Sequence, residues 1–264
     1  MTYAAGKMLL EKQGSIGWMI FNNPERRNAV SKAMWQAIVQ VVAELERDPE
    51  IRVIVVRGAG DKAFVSGADI SEFDQVRATS EAVAEYEATS DRACRALELA
   101  KKPTIAMING YCVGGGFDIA LRCDLRFAAE DSKFGIPAAR LGVGYPFGDI
   151  KRLVDHIGPM KAKEIFFTGR QFSAKEALAM GFVCGVVPST QLEDAVLSVA
   201  SMISDNAPLT MAAVKKCVLE SKKTPQEWDA ATCEAMVAAC FGSEDYREGR
   251  RAFLEKRPPR FIGR

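Results

Sequence analysis

Three consecutive glycines, Gly114–Gly116, are the residues of this 264-residue chain whose type and spacing most directly suggest chemistry. They follow the apolar run Thr104–Ile108 and precede the apolar, helix-compatible residues Ile119–Leu121. Glycines between a strand and a helix let the backbone turn sharply and bring bare N–H groups against a ligand. The same pattern fits a tight turn with close packing of helix on sheet, so the glycines alone leave both interpretations open.

The glycine-rich junction does not match the phosphate-binding motifs of nucleotide enzymes. Residues 109–118 read NGYCVGGGFD and contain neither G-x-x-x-x-G-K-[ST] nor a full G-x-G-x-x-G. A second small-residue loop, FVSGADI at 64–70, follows the buried run Ile51–Val56 and offers another place where backbone amides can face a site. Taken alone, this second loop is better explained as an ordinary connection.

Residue content excludes several common catalytic and binding classes. The single histidine, His156, rules out His-rich zinc sites and mechanisms with two imidazoles, and we expect it to be a structural residue near a helix end. The serine elbow of α/β-hydrolases is absent, because the chain has no G-x-S-x-G. With 35 basic and 34 acidic residues, the net charge of +1 argues against a general nucleic-acid or membrane-surface binder.

The cysteine pattern and the hydropathy of the chain suggest its compartment. Seven cysteines are scattered without any C-x-x-C pair, which is typical of small core hydrophobes in a reducing compartment. The N-terminus lacks the apolar segment of a signal peptide, and no uninterrupted apolar run approaches the ~20 residues of a membrane span. We therefore expect a cytoplasmic protein with no membrane segment and no bound metal.

Alternating strand and helix patterns must position the two loops. Apolar runs at Met8–Leu10 and Ile16–Phe21 flank a turn signal and predict a β-hairpin. The runs Ile51–Val56 and Thr104–Ile108 predict strands that are buried on both faces. The polar, alanine-rich segment between these two runs, Thr79–Ala100, predicts a helix. This alternation predicts an α/β core.

Capping residues mark the starts of several helices. Ser31 precedes an apolar stripe at helical spacing, and Ser173 and Thr224 each open a capping box with a glutamate three residues later. Pro208 stands where the first residue of a further helix is expected. Since helical signals dominate after Pro188, we predict a helical region attached to the α/β core.

Seven segments together resemble the crotonase superfamily, which is the enoyl-CoA hydratase/isomerase family. They occur in order along nearly the whole chain: Asn22–Ala29, Phe64–Ile70, Lys102–Asp118, Cys123–Arg126, Phe134–Gly135, Phe167–Val187 and Glu248–Arg257. Each segment is weak alone, whereas the ordered set is specific. The resemblance implies an α/β fold with a core of ββα spiral turns over residues 1–187 and a helical trimerisation region over 188–264. It also implies a homotrimer or a dimer of trimers.

The resemblance also implies a substrate and a set of site residues. Family members bind an acyl-CoA thioester and stabilise its enolate with two backbone N–H donors, which match Ala68 and Gly115 here. The positions that match coenzyme A contacts are Arg27, Ala29, Ser66, Asp69, Ile70, Gly114, Phe253 and Lys256, the last two contributed by a neighbouring subunit. Coenzyme A is then part of the substrate, and no other cofactor and no nucleic acid are expected.

Departures from the family pattern leave the reaction open. Hydratases of the family use two glutamates, and the matching residues here are Asp118 and Ala138. Hydration needs one group to activate water and one to protonate the α-carbon, so we expect Asp118 to act with Tyr145 or Asp149. Tyr145 matches a tyrosine of the methylmalonyl-CoA decarboxylase branch. A hydratase is the implied default, and a double-bond isomerase, a malonyl-type decarboxylase and a non-catalytic CoA-binding protein are the alternatives.

Overall fold

Eleven β-strands form two sheets in the computed structural model, which describes residues 1–73 and 78–264. In chain order the strands are β1 (Thr2–Tyr3), β2 (Met8–Gln13), β3 (Ile16–Phe21), β4 (Val53–Gly58), β5 (Ala63–Val65), β6 (Thr104–Ile108), β7 (Tyr111–Val113), β8 (Leu125–Ala129), β9 (Lys133–Gly135), β10 (Phe172–Ser173) and β11 (Gly185–Val187). The larger sheet has the spatial order β1-β2-β3-β4-β6-β8-β11, and the smaller one has the order β10-β9-β7-β5.

Ten α-helices surround these sheets in the same described residues. They are α1 (Lys32–Arg47), α2 (Ser80–Leu99), α3 (Gly115–Arg122), α4 (Ala138–Leu141), α5 (Phe147–Thr168), α6 (Ala174–Ala179), α7 (Leu192–Ser204), α8 (Pro208–Ser221), α9 (Ala230–Gly242) and α10 (Glu244–Glu255). Helix α5 is interrupted at Gly158, where a φ of 79° separates two helical halves.

The predicted hairpin and the two predicted buried strands are confirmed. Strands β2 and β3 pair antiparallel from Met8 opposite Phe21 to Gln13 opposite Ile16. Strands β3, β4, β6 and β8 then run parallel to one another in register. The side chains of Val53–Val56 are fully buried, as expected for a strand with helices or loops over both faces. The predicted run began at Ile51, two residues before the strand itself.

Most of the predicted helix starts are confirmed at the level of individual hydrogen bonds. The Ser31 side chain accepts a hydrogen bond from the Met34 N–H at the start of α1, and Thr79 caps α2 in the same way. Ser173 forms the predicted capping box with Glu176. The box at Thr224 opens only a short 3-10 turn, because Trp228 adopts an extended conformation and α9 begins after a new cap at Asp229.

The smaller sheet positions the two loops singled out by the sequence. Strands β5 and β7 are neighbours and run parallel, so their carboxyl ends lie at the same edge of the sheet. The loop Ser66–Asp69 follows β5, and Gly114 with α3 follows β7. Parallel strands that end together bring the segments after them into one crevice, which is where ligands bind in many α/β folds.

The chain after Pro188 is mainly helical in the structure. Helix α7 packs against the larger sheet, and its buried residues Leu192, Val196 and Ala200 share a cluster with Trp18 and other strand residues. Apolar side chains of α8, α9 and α10 are exposed instead, including Val218, Phe241 and Phe253. The division at residues 187 and 188 into a core and a trimerisation region stays a prediction.

The described residues contain neither a helix that could span a membrane nor a metal-binding cluster. No helix in residues 1–73 and 78–264 combines the length and the apolar character needed to cross a bilayer. The same residues contain no cluster of three or more histidine, cysteine, aspartate or glutamate side chains arranged to hold a metal ion.

Candidate active site

The backbone of Gly115 lies beside the backbone amide of Ala68, as the resemblance implies. A methyl group placed on Gly115 would be 3.7 Å from the Ala68 nitrogen and 3.1 Å from Cζ2 of Trp35. Gly115 is the first residue of α3, where an N–H has no acceptor within the helix. Within the part of the chain that the structure describes, neither the Gly115 N–H nor the Ala68 N–H donates to a protein acceptor. Both are therefore available to a ligand oxygen.

Two neighbouring glycines make this arrangement sterically possible. Gly114 adopts a φ of 53° and a ψ of −119°, a conformation that side chains oppose, while its N–H donates to the Gly135 carbonyl at 2.9 Å. Gly116 packs so closely against β5 that a methyl group there would lie 2.1 Å from the Val65 carbonyl oxygen. The glycine run therefore sets both the turn into α3 and the distance between α3 and the loop after β5.

The loop that carries Ala68 is fixed by backbone hydrogen bonds on either side of that residue. The Val30 N–H donates to the Gly67 carbonyl at 2.8 Å, and the Asp69 N–H donates to the Val30 carbonyl at 2.9 Å. This isolated bridge engages the residues before and after Ala68 and leaves the Ala68 N–H unused. A donor held in this way needs little reorganisation when a negative charge develops opposite it.

The two amides open into a cavity of about 470 Å³. Its walls come from α1, α2, α3, the loop 143–146 and the start of α5. The cavity lining includes Ala68, Gly115, Asp118, Tyr145, Asp149, Arg122 and Arg152, together with Trp35, Tyr86, Asp91, Cys94 and Arg95. The four residues predicted to act in catalysis, Ala68, Gly115, Asp118 and Tyr145, therefore share one cavity.

Asp118 lies one helical turn after Gly115 and lines the same cavity as the amide pair. Burial raises the pKa of Asp118 to about 7, and the negative charge of Asp149 adds to this effect. The Tyr145 hydroxyl donates to Oδ2 of Asp118 at 2.5 Å and opposes the increase, as do the charges of Arg122 and Arg152. A carboxyl group with such a pKa is suited to both proton donation and proton acceptance at neutral pH.

Tyr145 is held by packing as well as by its hydrogen bond. Its ring meets the ring of Phe166 edge to face, with the centroids 4.9 Å apart. Burial and the nearby charge of Asp118 raise the pKa of the Tyr145 phenol well above its usual value. The phenol therefore remains protonated and acts as a hydrogen-bond donor.

Asp149 and Ala138 are less suited to proton transfer than Asp118 and Tyr145. Asp149 lines the cavity, but its carboxylate is paired with Arg122 at 2.6 Å and with Arg152 at 3.3 Å. Ala138 is the first residue of α4, is 7% exposed, and belongs to the hydrophobic core. The position of the second family glutamate therefore supplies no carboxylate, and Asp118 with Tyr145 is the better-placed pair.

The turn at Arg27 and the loop at Ser66, both predicted to contact coenzyme A, lie against each other. The Ser66 N–H donates to the Arg27 carbonyl at 3.1 Å, and the Arg27 guanidinium lies 5.2 Å from the centre of the Tyr111 ring. Ala29 continues this turn, and Ile70 is 61% exposed at the end of the loop. Gly114 directly precedes Gly115, and a methyl group on it would be 3.8 Å from the Cα atom of Gly67. These contacts with coenzyme A stay predictions.

Asp69 has a structural role in the folded chain. Its carboxylate accepts hydrogen bonds from Arg26 at 3.1 and 3.2 Å and from the Ser71 hydroxyl at 2.7 Å. Burial by itself would raise the pKa of Asp69, but the hydrogen bonds from Ser71 and the charge of Arg26 leave that pKa below its usual value. Asp69 therefore holds the loop that positions Ala68.

Phe253 and Lys256 lie outside the cavity that contains the amide pair. Phe253 is 83% exposed on α10 and lines a different cavity, of about 1020 Å³, with residues of α8 and α9. Lys256 ends α10 in a left-handed conformation. The resemblance assigns both contacts to a neighbouring subunit, and that assignment stays a prediction.

Sequence reasoning missed a cluster of paired charges in the cavity wall. Arg122 is 4% exposed and pairs with Glu98 at 3.0 Å, while Arg152 pairs with the same carboxylate at 2.7 Å. An arginine that ends the apolar run Ile119–Leu121 was the available signal, because a buried arginine requires partners.

His156 lines a separate cavity, and burial lowers its pKa to about 4, which agrees with the structural role expected for it.

Comparison with known proteins identifies the family of this chain. A family model described as "Enoyl-CoA hydratase/isomerase" matches residues 11–264. The short-chain-enoyl-CoA hydratase of Clostridium acetobutylicum is 33% identical over 250 residues, which is 95% of each chain. The methylmalonyl-CoA decarboxylase of Escherichia coli is 36% identical over 246 residues, or 92% of this chain and 93% of that protein.

Solved structures agree with the sequence comparison. The crystal structure of a putative enoyl-CoA hydratase/isomerase family protein from Hyphomonas neptunium superimposes with a TM-score of 0.92 at 37% identity and covers 98% of both chains. An enoyl-CoA hydratase/carnithine racemase from Magnetospirillum magneticum gives the same TM-score at 33% identity over 99% of this chain and 97% of that one. The fold implied by the resemblance is thus confirmed, and the chain belongs to the enoyl-CoA hydratase/isomerase family.

Proposed function

We propose that the protein is an enoyl-CoA hydratase-like enzyme that acts through a thioester enolate. The carbonyl oxygen of the substrate lies between the N–H groups of Ala68 and Gly115, and Asp118 transfers the protons. The observation that carries this proposal is the presence of a buried carboxyl group with a pKa of about 7 in the same cavity as two unused amides. Each amide directed at the developing negative charge contributes about 3 to 4 kcal/mol.

One carboxylate can serve both halves of the hydration. Ionised Asp118 accepts a proton from water while the water oxygen bonds to the β-carbon and the electron pair moves onto the thioester oxygen. The neutral Asp118 then protonates the α-carbon, and the C–O double bond forms again. Tyr145 orients the carboxylate throughout by donating its hydroxyl hydrogen to Oδ2.

Decarboxylation of a malonyl-type thioester is the second candidate. It is favoured by the alanine at position 138 and by the 36% identity to a methylmalonyl-CoA decarboxylase. In this reaction the bond between the α-carbon and the substrate carboxylate breaks, carbon dioxide leaves, and the amide pair holds the resulting enolate. Protonated Asp118 then supplies the α-proton, so no second carboxylate is required.

A double-bond isomerase and a non-catalytic CoA-binding protein remain as less favoured alternatives. Isomerisation of a 3-enoyl thioester would use Asp118 alone to take a proton from the α-carbon, which forms the enolate, and return it to the γ-carbon. A non-catalytic binder would have no use for the two amides or for a carboxyl group held near neutral pKa in the same cavity.

Exchange of the α-proton in heavy water tests these functions together. The protein is incubated with crotonyl-CoA, 3-hydroxybutyryl-CoA, 3-butenoyl-CoA and methylmalonyl-CoA in D₂O, and the products are followed by mass spectrometry. We expect addition of water to crotonyl-CoA with deuterium at the α-carbon. Release of carbon dioxide from methylmalonyl-CoA without hydration would favour the second candidate. A protein that neither exchanges nor converts any of the four thioesters would contradict an enzymatic role.

We further propose a homotrimer or a dimer of trimers, located in the cytoplasm, with coenzyme A as part of the substrate and no additional cofactor. The exposed apolar side chains of Val218, Phe241 and Phe253 support an assembly through the helical region. All seven cysteines are free, which supports a reducing compartment. Light scattering after size-exclusion chromatography checks the assembly, and a monomeric mass would contradict it.

A further inference from the structure

The short segment that leads into α1 contacts both parts of the chain that carry the amide pair. The backbone of Val30 forms the isolated bridge to Ala68. Trp35 follows five residues later, and its N–H donates to the carbonyl of the helix cap Ser31 at 3.0 Å. The indole ring of Trp35 lies against Gly115. One short stretch of chain therefore touches the surroundings of both donors.

Trp35 meets Gly115 with the edge of its indole ring. A methyl group on Gly115 would lie 3.1 Å from Cζ2 and 3.4 Å from Cη2 of this ring, and 3.7 Å from the Ala68 nitrogen. That side of Gly115 thus faces the indole edge and the Ala68 amide together. The ring leaves room for the hydrogen atom of glycine, but it would have to give way to a methyl group. The indole edge therefore limits how far Gly115 can move beside the second amide.

A hydrogen bond fixes the orientation of the indole ring. Trp35 Nε1 donates to the hydroxyl of Tyr86 on α2 at 2.9 Å, and both side chains are almost completely buried. Nε1 and Cζ2 are bonded to the same ring carbon, so a ring held at Nε1 is also held where it meets Gly115. The Tyr86 ring in turn meets the ring of Phe73 edge to face, with the centroids 6.4 Å apart. The position of the indole edge therefore depends on α2 as well as on α1.

This contact matters because the amide pair requires accurate distances. Two donors stabilise a developing negative charge only when both lie within hydrogen-bond range of the same oxygen. A misplacement of about 1 Å can cost about 100-fold in rate. Gly116 restricts the approach of α3 to β5, whereas the Trp35 ring meets Gly115 itself. A side-chain contact at Gly115 acts directly on the residue that supplies the donor.

We propose that Trp35 is a positioning residue for the amide pair: its indole edge, oriented by Tyr86, holds the Gly115 N–H at the distance that the thioester oxygen requires. This inference rests on the proposed function, because it takes the thioester carbonyl to lie between Ala68 and Gly115. Trp35 transfers no proton and acts through Gly115. Its replacement should therefore weaken the stabilisation of the enolate more than the binding of the substrate.

Trp35→Phe tests this role, because phenylalanine fills most of the space but lacks the indole N–H and the edge that meets Gly115. We expect kcat for crotonyl-CoA to fall about 10-fold, since one donor is displaced and not removed, while KM stays within about threefold. Tyr86→Phe removes the acceptor and keeps the ring, so it should lower kcat by a smaller factor, and it replaces Trp35→Phe if that variant does not fold. A raised KM with an unchanged kcat would overturn the inference.

The carbon-13 resonance of a saturated thioester reports the same contact without turnover. Butyryl-CoA labelled at the thioester carbon is bound to the protein, and hydrogen bonds to the carbonyl oxygen should polarise the carbonyl and move its resonance downfield. We expect this shift to be smaller in Trp35→Phe and Tyr86→Phe than in the wild-type protein. An equal shift in all three proteins would overturn the inference and leave the proposed function intact. A wild-type protein that binds butyryl-CoA without any shift would contradict both, because the carbonyl would not lie at the amide pair.

Trp18→Phe is the matched control. Trp18 is 4% exposed, and its Nε1 donates to Gln13 Oε1 at 3.1 Å. It belongs to the apolar cluster shared with α7 and, among the described residues, is not part of the cavity lining. The same substitution should lower the melting temperature to a similar degree but leave kcat and the carbonyl shift at their wild-type values. Equal losses of kcat in Trp18→Phe and Trp35→Phe would indicate a general effect of core packing and overturn the inference.

Discussion

The Tyr145 hydroxyl donates a hydrogen bond to the Asp118 carboxylate at 2.5 Å, across the cavity that also contains the unused amides of Ala68 and Gly115. This contact joins the segment before α5 to the helix that follows the glycine run. It stabilises the ionised form of Asp118, while burial and the charge of Asp149 stabilise the neutral form. The balance leaves the carboxyl group able to exchange protons near neutral pH.

Removal of the Asp118 carboxylate should abolish most of the activity without abolishing ligand binding. In Asp118→Asn we expect the rate to fall about 100- to 10,000-fold, because general acid and base catalysis both depend on this group. The affinity for a saturated thioester such as butyryl-CoA should remain within about threefold of the wild-type value, since the amide pair is unchanged. Steady-state kinetics and calorimetry measure the two quantities. A wild-type rate in Asp118→Asn would transfer the role to Tyr145 or Asp149.

The pH dependence of the reaction should reveal the influence of Tyr145 on Asp118. Hydration needs the ionised carboxylate first, so kcat/KM should rise with pH through an inflection near 7. In Tyr145→Phe the hydrogen bond that lowers the pKa of Asp118 is lost, and the inflection should move to higher pH. An inflection that stays in place, or moves to lower pH, would contradict this coupling. A rate that falls above pH 7 would instead indicate that neutral Asp118 is required, as decarboxylation predicts.

The raised pKa of Asp118 also predicts how stability depends on pH. A carboxyl group with a pKa near 3.8 when unfolded and about 7 when folded contributes stability that is fully present below pH 3.8 and is lost as the pH rises through 7. Three pKa units correspond to a difference of up to about 4 kcal/mol. Asp118→Asn should therefore be more stable than the wild-type protein at pH 8, and the difference should shrink toward pH 5. Denaturant unfolding at the two pH values checks this, and a difference independent of pH would refute it.

The close contact between Gly116 and Val65 should make even a single methyl group harmful. In Gly116→Ala the new carbon would meet the Val65 carbonyl oxygen at 2.1 Å, so α3 must shift away from the loop that carries Ala68. We expect a loss of about 1 to 3 kcal/mol in the free energy of unfolding, together with a large decrease in kcat. Gly242→Ala serves as the control, because a methyl group on Gly242 meets no atom within 4 Å. Equal behaviour of the two variants would contradict the proposed spacing.

Much of the scaffold could be predicted because its signals are local. The β-branched residues Val53–Val56 indicate a strand buried on both faces, and the Ser31 and Ser173 side chains cap helices in the expected manner. Thr224 shows the limit of such reasoning, since a capping box specifies a helical start but does not determine whether the helix continues. The ends of elements depend on tertiary packing that the local sequence does not contain.

The candidate site was predictable in part, through the resemblance and not through spacing. Ala68 and Gly115 are far apart in the chain, and their approach depends on the parallel pairing of β5 with β7. The paired charges around Arg122 were missed because Glu98 and Arg152 come from separate helices. The structural role of Asp69 was also missed. Its partner Arg26 lies much earlier in the chain, in the turn before α1, so the sequence does not show that the two side chains meet.

The contact of Gly116 with the Val65 carbonyl has a consequence for how new activities can arise on this scaffold. The separation of the two amides is set by main-chain atoms pressed together, so exchange of side chains around the cavity leaves it unchanged. Substitutions at positions such as 118, 138 or 145 can therefore change the proposed proton transfer without changing the spacing of the two amides. A laboratory search for new thioester reactions should accordingly randomise these three positions and leave residues 65 and 116 untouched.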